Sequence, residues 1–278
     1  MMSRLFSCMG NFVRRWQVTE MDNHKILEKI EQADMVLVGL GEDFDGDVFL
    51  RQDARYLSGC EKLKEAGLHW LKPAWNEFCV EKSDTSLNLA LERLGEILQG
   101  KNHFLVGVST NRRIGDLGRA VMPCGSWQKK QCAAGGCGGG LSEVTEQDRA
   151  ALWRFFGELY EGRLPEEYPL PGTCPACGAA LVLNNVYAKE YDESGYLEQW
   201  SLYRKWLQAT LNHRLLVLEL GVGMRFPSVV RWPFEKVAFF NQKAYFCRVH
   251  EKLYQLTKEL SEKGCGISKN AIDWLVEL

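Results

Sequence analysis

The chain has 278 residues, with 34 basic and 36 acidic side chains, a formal net charge of -2 and a pI near 6.3. It is long enough to bury a full core, and its balanced charge exerts no general pull on nucleic acid or an anionic membrane surface. No run approaches the ~18 consecutive apolar residues that a bilayer-spanning helix needs, so an integral membrane protein is excluded as a function class.

The opening MMSRLFSCMGNFVRRW is basic and apolar but lacks the ~7-residue uninterrupted apolar core of a secretory signal. Residues 1–20 read as an N-terminal extension outside the core, with Met21 a candidate alternative start. There are ten cysteines, and without a signal their grouping predicts reduced thiols and a cytoplasmic protein. Cys8, Cys60, Cys79, Cys247 and Cys265 stand apart in sequence and read as small packed thiols.

HKILEKIEQADMVLVGLG starts with Ile26, Leu27 and Ile30 at helical spacing, then changes period. Met35 to Val38 is a continuous apolar run that predicts a strand buried on both faces. It ends in Gly39, Leu40 and Gly41, a turn whose missing side chains let a backbone come close to a pyrophosphate. Residues 42–100 read as mostly helical; Leu87, Leu91, Leu94 and Leu98 form a core-facing stripe. His69 and His103 read as packed or exposed histidines. HFLVGVSTN predicts a second buried strand that delivers Ser109, Thr110 and Asn111 at its C-terminal end, the edge where parallel sheets bind ligands. Leu215 to Leu220, followed by Gly221, Val222 and Gly223, repeats the pattern, and residues 244–249 give a fourth strand. Strands separated by helices predict an α/β fold: a Rossmann-like parallel sheet with helices on both faces and a helical insertion at about residues 43–100.

The segment 124–192 differs in kind, with cysteines, a glycine run at 135–140, several prolines and one helix around Arg149 to Tyr160. It carries too little apolar material to fold unaided, and a metal supplies the missing stabilisation in small modules of this sort. Cys132-x4-Cys137 and Cys174-x2-Cys177 fit a tetrahedral zinc, four soft ligands leaving no place for water, so the site is structural. The following QWSLYRKWLQATLNHR predicts an amphipathic helix, with His213 at its end.

Over residues 24–278 this order of elements resembles the sirtuins, the NAD-dependent protein deacylases. ELGVGMRFP followed by RWPFEKV, and Gln131-Cys132 placed after Cys124-Gly125, are similar to the macrodomain-linked bacterial branch, which is associated with protein ADP-ribosylation. The resemblance implies an NAD-binding domain at 21–120 and 193–278 and a small zinc-binding domain at 121–192. It implies that Gly39, Leu40 and Gly41 form one NAD loop, and Gly221, Val222 and Gly223 the other. Asn111 then meets the nicotinamide-bearing ribose, while Cys132, Cys137, Cys174 and Cys177 hold zinc. A modified or acceptor protein is the implied partner, nucleic acid is not, and the oligomeric state is not read from the sequence.

Three positions depart from the family pattern. Cys124 stands where a histidine, or glutamine in the ADP-ribosylating branch, is expected, and a thiol near ~8.5 relays protons poorly unless its pKa is depressed. Transient acceptance of ADP-ribose by its thiolate is a second role for this candidate catalytic residue, beside Asn111. Arg113 replaces an aspartate, and its charge would repel a cationic nicotinamide ring or bind a phosphate. Glu42, Asp43, Asp45 and Asp47 bring carboxylates toward a phosphate site, which disfavours binding unless they face solvent or are offset by Arg51 or Arg55. Two readings follow, an NAD-dependent protein ADP-ribosyltransferase or a degenerate sirtuin that binds NAD or ADP-ribose without turnover; lysine deacylation is a further alternative.

Overall fold

Two apolar runs become the centre of a parallel sheet in the computed structural model, which describes residues 23–83 and 86–278. The expectations for residues 1–20, Cys8 and Met21 lie outside the described residues. Helix α1 (residues 23–32) leads into β1 (Met35–Leu40), every residue of which is buried. A 3-10 turn at Glu42–Asp45 then opens the helical insertion: α2 (Asp47–Leu50), α3 (Ala54–Glu65), α4 (Lys72–Glu81) and α5 (Leu87–Leu98). After β2 (Asn102–Gly107), a further 3-10 turn (Arg112–Leu117) and β3 (Ala120–Val121), the chain leaves the sheet. It builds β4 (Gly125–Cys132), β5 (Ser142–Glu143), α6 (Glu146–Tyr160) and β6 (Leu181–Asn185), then returns through α7 (Ser194–Ala209) to β7 (Leu215–Leu220). The remainder is α8 (Arg231–Phe240), β8 (Tyr245–Val249), α9 (Lys258–Ser261), β9 (Gly264–Ile267) and α10 (Ala271–Glu277).

The main sheet runs β3-β2-β1-β7-β8-β9, and every pairing in it is parallel. Counted within this sheet, β7, β8 and β9 are its fourth, fifth and sixth strands, so the order is 3-2-1-4-5-6, that of doubly wound dinucleotide-binding sheets. The order reverses between β1 and β7, and the crevice for a ligand lies beyond their C-terminal ends. Four strands coincide with the predicted runs. The short β3 and β9, the latter the glycine-containing GCGI, carry no apolar run of their own and were not predicted.

Alternation along β1 divides the core in two, as the period of a strand requires. Val36, Val38 and Leu40 pack with α3 to α6 and α10; Met35 and Leu37 pack with α7 and α8. The stripe Leu87, Leu91, Leu94 and Leu98 is buried as expected. Among the described residues no helix is long and apolar enough to cross a membrane.

The cysteine-rich segment is less dependent on a metal for its apolar burial than its composition predicts. Its helix α6, started by a Thr145/Asp148 capping box, buries Leu152, Phe155, Phe156 and Leu159 in the same cluster as α3 and α4. Trp75 on α4 is fully buried there, with ring centroids 5.6 Å from Phe78 and 5.5 Å from Phe156. The segment thus borrows a core from the helical insertion. Trp75→Ala is expected to lower unfolding stability by about 3–5 kcal/mol, read from urea denaturation, because the cavity lies where both parts meet.

Candidate functional site

The two glycine turns meet at the reversal point. A Cβ on Gly41 would lie 1.9 Å from the Gly221 carbonyl oxygen and 2.4 Å from Val222 Cα, so only glycine lets these backbones touch. The Gly41 amide donates to the Leu220 carbonyl at 2.9 Å, and the Gly221 amide to Val249 at 2.9 Å. The first two residues of the first turn do something other than face a ligand. Gly39 sits in β1 and makes room for α8, since a Cβ there would lie 2.5 Å from Val230 Cγ1; the Leu40 side chain is wholly in the core. Val222 is buried too, its carbonyl taking a hydrogen bond from Arg231 at 2.9 Å.

Behind the second turn lies a buried charge network. Glu219 on β7 and Arg248 on β8 are register partners joined at 2.6 and 3.0 Å, and Arg248 also meets Glu235 at 2.7 Å. Arg231 approaches Glu219 at 3.4 Å and donates to the Leu253 carbonyl, tying Val222 to the loop after β8. Charges this deep persist only when paired, so the network fixes the position of residues 221–223.

The acidic turn points inward, contrary to the arrangement that would spare a phosphate. Glu42 Oε2 accepts the Gly223 amide at 2.8 Å, and its Oε1 is buried with no partner among the described residues. Asp43 packs over Gly221. Asp45 Oδ1 accepts the Thr110 amide at 2.6 Å, Thr110 Oγ1 at 2.8 Å and Ser109 Oγ at 3.0 Å. Asp47 forms a salt bridge with Lys72 at 2.7 Å. Arg55 is drawn away onto the Tyr160 ring, while Arg51 remains close enough to favour the charged form of Asp43. Burial, with Glu42 adding to it, pushes Asp43 up to about 6. Burial pushes Asp45 up to about 6 as well, against its hydrogen bonds.

Beside this turn a cavity of about 390 Å³ opens between α4, the start of α5 and the end of β2, lined by Asp45, Asn76, Glu77, Asn111 and Arg113 among others. Asn111 is held at its edge, Nδ2 donating to the Phe44 carbonyl at 3.0 Å and Oδ1 capping the Arg113 amide at 3.0 Å. The Arg113 guanidinium bonds Asn88 and approaches Glu92 at 3.8 Å, so its charge is matched on α5. Arg112 and Trp127 both donate to Glu77, at 3.0 and 2.6 Å, joining β4 to α4. Asn76, Glu77 and Trp127 carry no sequence signal of a site, and Asp45 enters the sequence reading only as one carboxylate of the acidic turn. The position of Asp45, four residues past Gly41, was the one signal available for it.

Cys124 is 2 % exposed at the start of β4, and burial, with nearby Asp45 adding to it, pushes its thiol up to about 12. At neutral pH it is an uncharged thiol, which neither relays a proton well nor attacks carbon as a thiolate. Of the described histidines near these elements, His69 packs against Tyr187 with ring centroids 4.6 Å apart. His103 places its nitrogens 3.0 and 3.2 Å from the Lys101 and Leu117 carbonyls.

The four motif cysteines converge. The sulfurs of Cys132, Cys137, Cys174 and Cys177 all lie within 4.8 Å of one another, with Cys132–Cys177 and Cys137–Cys174 each at 3.5 Å. That spacing matches the edges of a tetrahedron around an ion with ~2.3 Å bonds to sulfur. The Ala176 and Cys177 amides favour the thiolate of Cys174, lowering its pKa.

The raised carboxylates set a pH dependence with a definite sign. Asp43 binds its proton more tightly folded than at the ordinary 3.8, so the stability this gives is complete below about 3.8 and is lost as pH rises through about 6. Asp43→Asn is therefore expected to stabilise by about 1–2 kcal/mol at about pH 8, allowing for solvent screening, and by nothing at about pH 3.5; urea melts at both pH values check this.

No protein-family model matches the chain. In sequence it is similar to a protein ADP-ribosyltransferase of Staphylococcus aureus, 25% identical over 99 residues, 35% of this chain and 31% of that protein. It is also similar to a probable bifunctional ADP-ribose hydrolase/ADP-ribosyltransferase of Fusarium oxysporum f. sp. cubense, 33% identical over 73 residues, 26% of this chain and 12% of that protein. The aligned stretches span less than a third of these curated relatives. Among solved structures, a Sir2–p53 peptide–NAD+ complex aligns with a TM-score of 0.54 and 11% identity over 91% of this chain and 95% of the other. A mutant Sir2 homologue in complex with ADP-ribose aligns with a TM-score of 0.53 and 15% identity over 91% and 94%. Aligned over 91% of its length with these structures, the chain has the Sir2 fold, that of the sirtuins.

Proposed function

We propose that the protein consumes NAD, transferring its ADP-ribose part to a protein side chain and releasing nicotinamide. The observation that carries this reading is the pair of touching glycine turns at the reversal point, together with a cavity large enough for the nicotinamide end, lined by Asp45 and Asn111 from the segments just beyond β1 and β2. The named activities of the two sequence relatives favour transfer to a protein over deacylation. In this reaction the bond between the ring nitrogen and the anomeric carbon breaks, the nitrogen keeping the electron pair and losing its positive charge. An acceptor oxygen forms the new bond to that carbon and releases any proton it carries to solvent.

The chain's own residues divide the work. Gly41 and Gly221 present bare backbone, and Asn111 holds the edge of the cavity. Gly223 offers an amide to a phosphate once Glu42 turns away. Reduced thiols suit the cytoplasm expected for such an enzyme. A second reading, a binder of NAD or ADP-ribose without turnover, is favoured by the same Glu42 contact and by the neutral Cys124.

Calorimetry with NAD, followed by measurement of nicotinamide release with a cell extract as acceptor source, separates these readings. Binding with release supports the transferase, binding alone supports the sensor, and no binding at millimolar NAD removes both. Glu42→Ala frees the Gly223 amide and removes a charge facing the phosphates, so NAD is expected to bind about tenfold more tightly, equivalent to about 1.4 kcal/mol. In the same reading the four cysteines hold a structural zinc. Elemental analysis is expected to find about one zinc per chain, and Cys177→Ser to lose most of it together with about 2 kcal/mol or more of stability.

A further inference from the structure

The balanced overall charge conceals an uneven surface. Helix α8 turns Arg231, Phe234 and Ala238 into the molecule and leaves Trp232, Lys236, Phe239 and Phe240 on its outer arc, as the helical repeat dictates. Trp232 is 50 % exposed, Phe239 48 % and Phe240 71 %, so no neighbouring element covers these rings. Past the end of α8, Asn241 donates to the Thr210 and His213 carbonyls at 3.0 and 3.3 Å, and Lys243 to the Asn212 carbonyl at 2.9 Å. These bonds draw the turn between α7 and β7 alongside. There Asn212 takes a left-handed φ of 65°, and Leu211 projects with 62 % of its surface exposed. Phe239, Phe240 and Leu211 thus form an apolar tip at the N-terminal edge of β7 and β8, the edge opposite the ligand crevice. Cations accompany it. Lys263 donates to the Phe239 and Asn241 carbonyls, each at 3.1 Å, Lys243 is held by the neighbouring turn, and Lys236 stands in the stripe itself. None of these lysines forms an ion pair among the described residues; Glu235 is taken by Arg248, and Glu262 is the exposed acid beside Lys263.

We propose that this face docks on an anionic lipid bilayer, Phe239, Phe240 and Leu211 entering the headgroup boundary while Lys236, Lys243 and Lys263 meet the lipid charges. The inference is independent of the nucleotide reading. Its apolar part sits on a helix end and a projecting turn, so it stands out from the surface, the shape that inserts between headgroups. Its cations are lysines, which protein interfaces deplete and which an anionic headgroup layer attracts by charge alone. Rings at the boundary with ammonium groups held in water are the arrangement of surface-bound amphipathic helices, Trp232 lying along the same face. A second copy of this chain fits the stripe poorly. Two α8 helices packed antiparallel would set Lys236, midway along each, against the same residue of the other copy. Apolar side chains and charge are both needed, because one signal alone gives weak, reversible attachment.

The test is co-sedimentation of the full chain with vesicles of phosphatidylcholine alone and with vesicles containing about one third phosphatidylserine. The wild type is expected to bind the anionic vesicles at least about tenfold more tightly, and to lose that advantage as salt is raised. Phe239→Ser together with Phe240→Ser is expected to weaken binding at least about tenfold, and Lys236→Glu about fivefold or more. Leu57→Ser, at an exposed leucine on α3, is expected to leave binding within about twofold. These positions face solvent, so the variants are expected to keep the wild-type melting curve. Should the double phenylalanine variant melt early, Lys236→Glu and the salt dependence of the wild type decide. Wild-type protein that sediments with neither vesicle overturns the proposal and leaves the stripe to a protein partner. Equal binding to both vesicles overturns it too. So does binding that survives the phenylalanine substitutions, which would place the contact elsewhere, or that falls as far in Leu57→Ser. A concentration-dependent dimer abolished by Phe240→Ser overturns it in favour of self-association.

Discussion

The contact between Gly41 and Gly221 sets the geometry on which the site depends. Two strand ends from opposite halves of the sheet come within van der Waals reach, and the Gly41 amide closes on the Leu220 carbonyl. Any side chain at either glycine would force β1 and β7 apart at the point where the sheet reverses its winding. The contact is braced from behind by Glu219, Arg248 and Arg231, which hold Val222 and the loop after β8. In front, the turn at residues 42–45 is latched to the end of β2 through Asp45 and Asn111. Backbone approach, buried charge and turn are thus one mechanical unit.

Charge gives this unit its particular character. Doubly wound sheets turn amide N–H groups toward an anion at their C-terminal edge. Here Glu42 accepts the Gly223 amide and Asp45 the Thr110 amide, so the chain's own carboxylates hold positions that an anionic ligand would seek. Desolvation makes Asp43 and Asp45 reluctant anions, and the same low-polarity surroundings keep Cys124 a neutral thiol. A pocket of this kind discriminates through hydrogen bonds and shape, and the acids closest to neutrality around it are Asp43 and Asp45.

The cysteine-bearing part shares its packing with the helices inserted after β1. Trp75 and Phe78 pack with tilted rings against Phe156, while Glu77 receives Trp127 from β4 and Arg112 from the edge of the cavity. The cavity is therefore walled by the same residues that join these parts. A shift of α6 or β4 would be felt at Glu77 and Arg112, and so along the ligand's side of α4.

Local pattern in the sequence was enough for the central strands, the leucine stripe of α5, the helix in the cysteine segment and the grouping of four thiols. Each of these depends on spacing within a few residues, or on chemistry that cysteine pairs carry with them. Glycine at the two turns was legible as close backbone approach, yet which glycine approached what was not. Gly39 serves α8, and Gly41 and Gly221 serve each other, because the answer depends on which strands become neighbours when they are far apart in sequence. The direction of the acidic turn, the pairing of Arg113 with α5 and the burial of Cys124 were likewise settled by tertiary packing. A side chain's charge is written in its residue type, but whether it meets water, a counter-charge or a ligand depends on the surfaces folded against it.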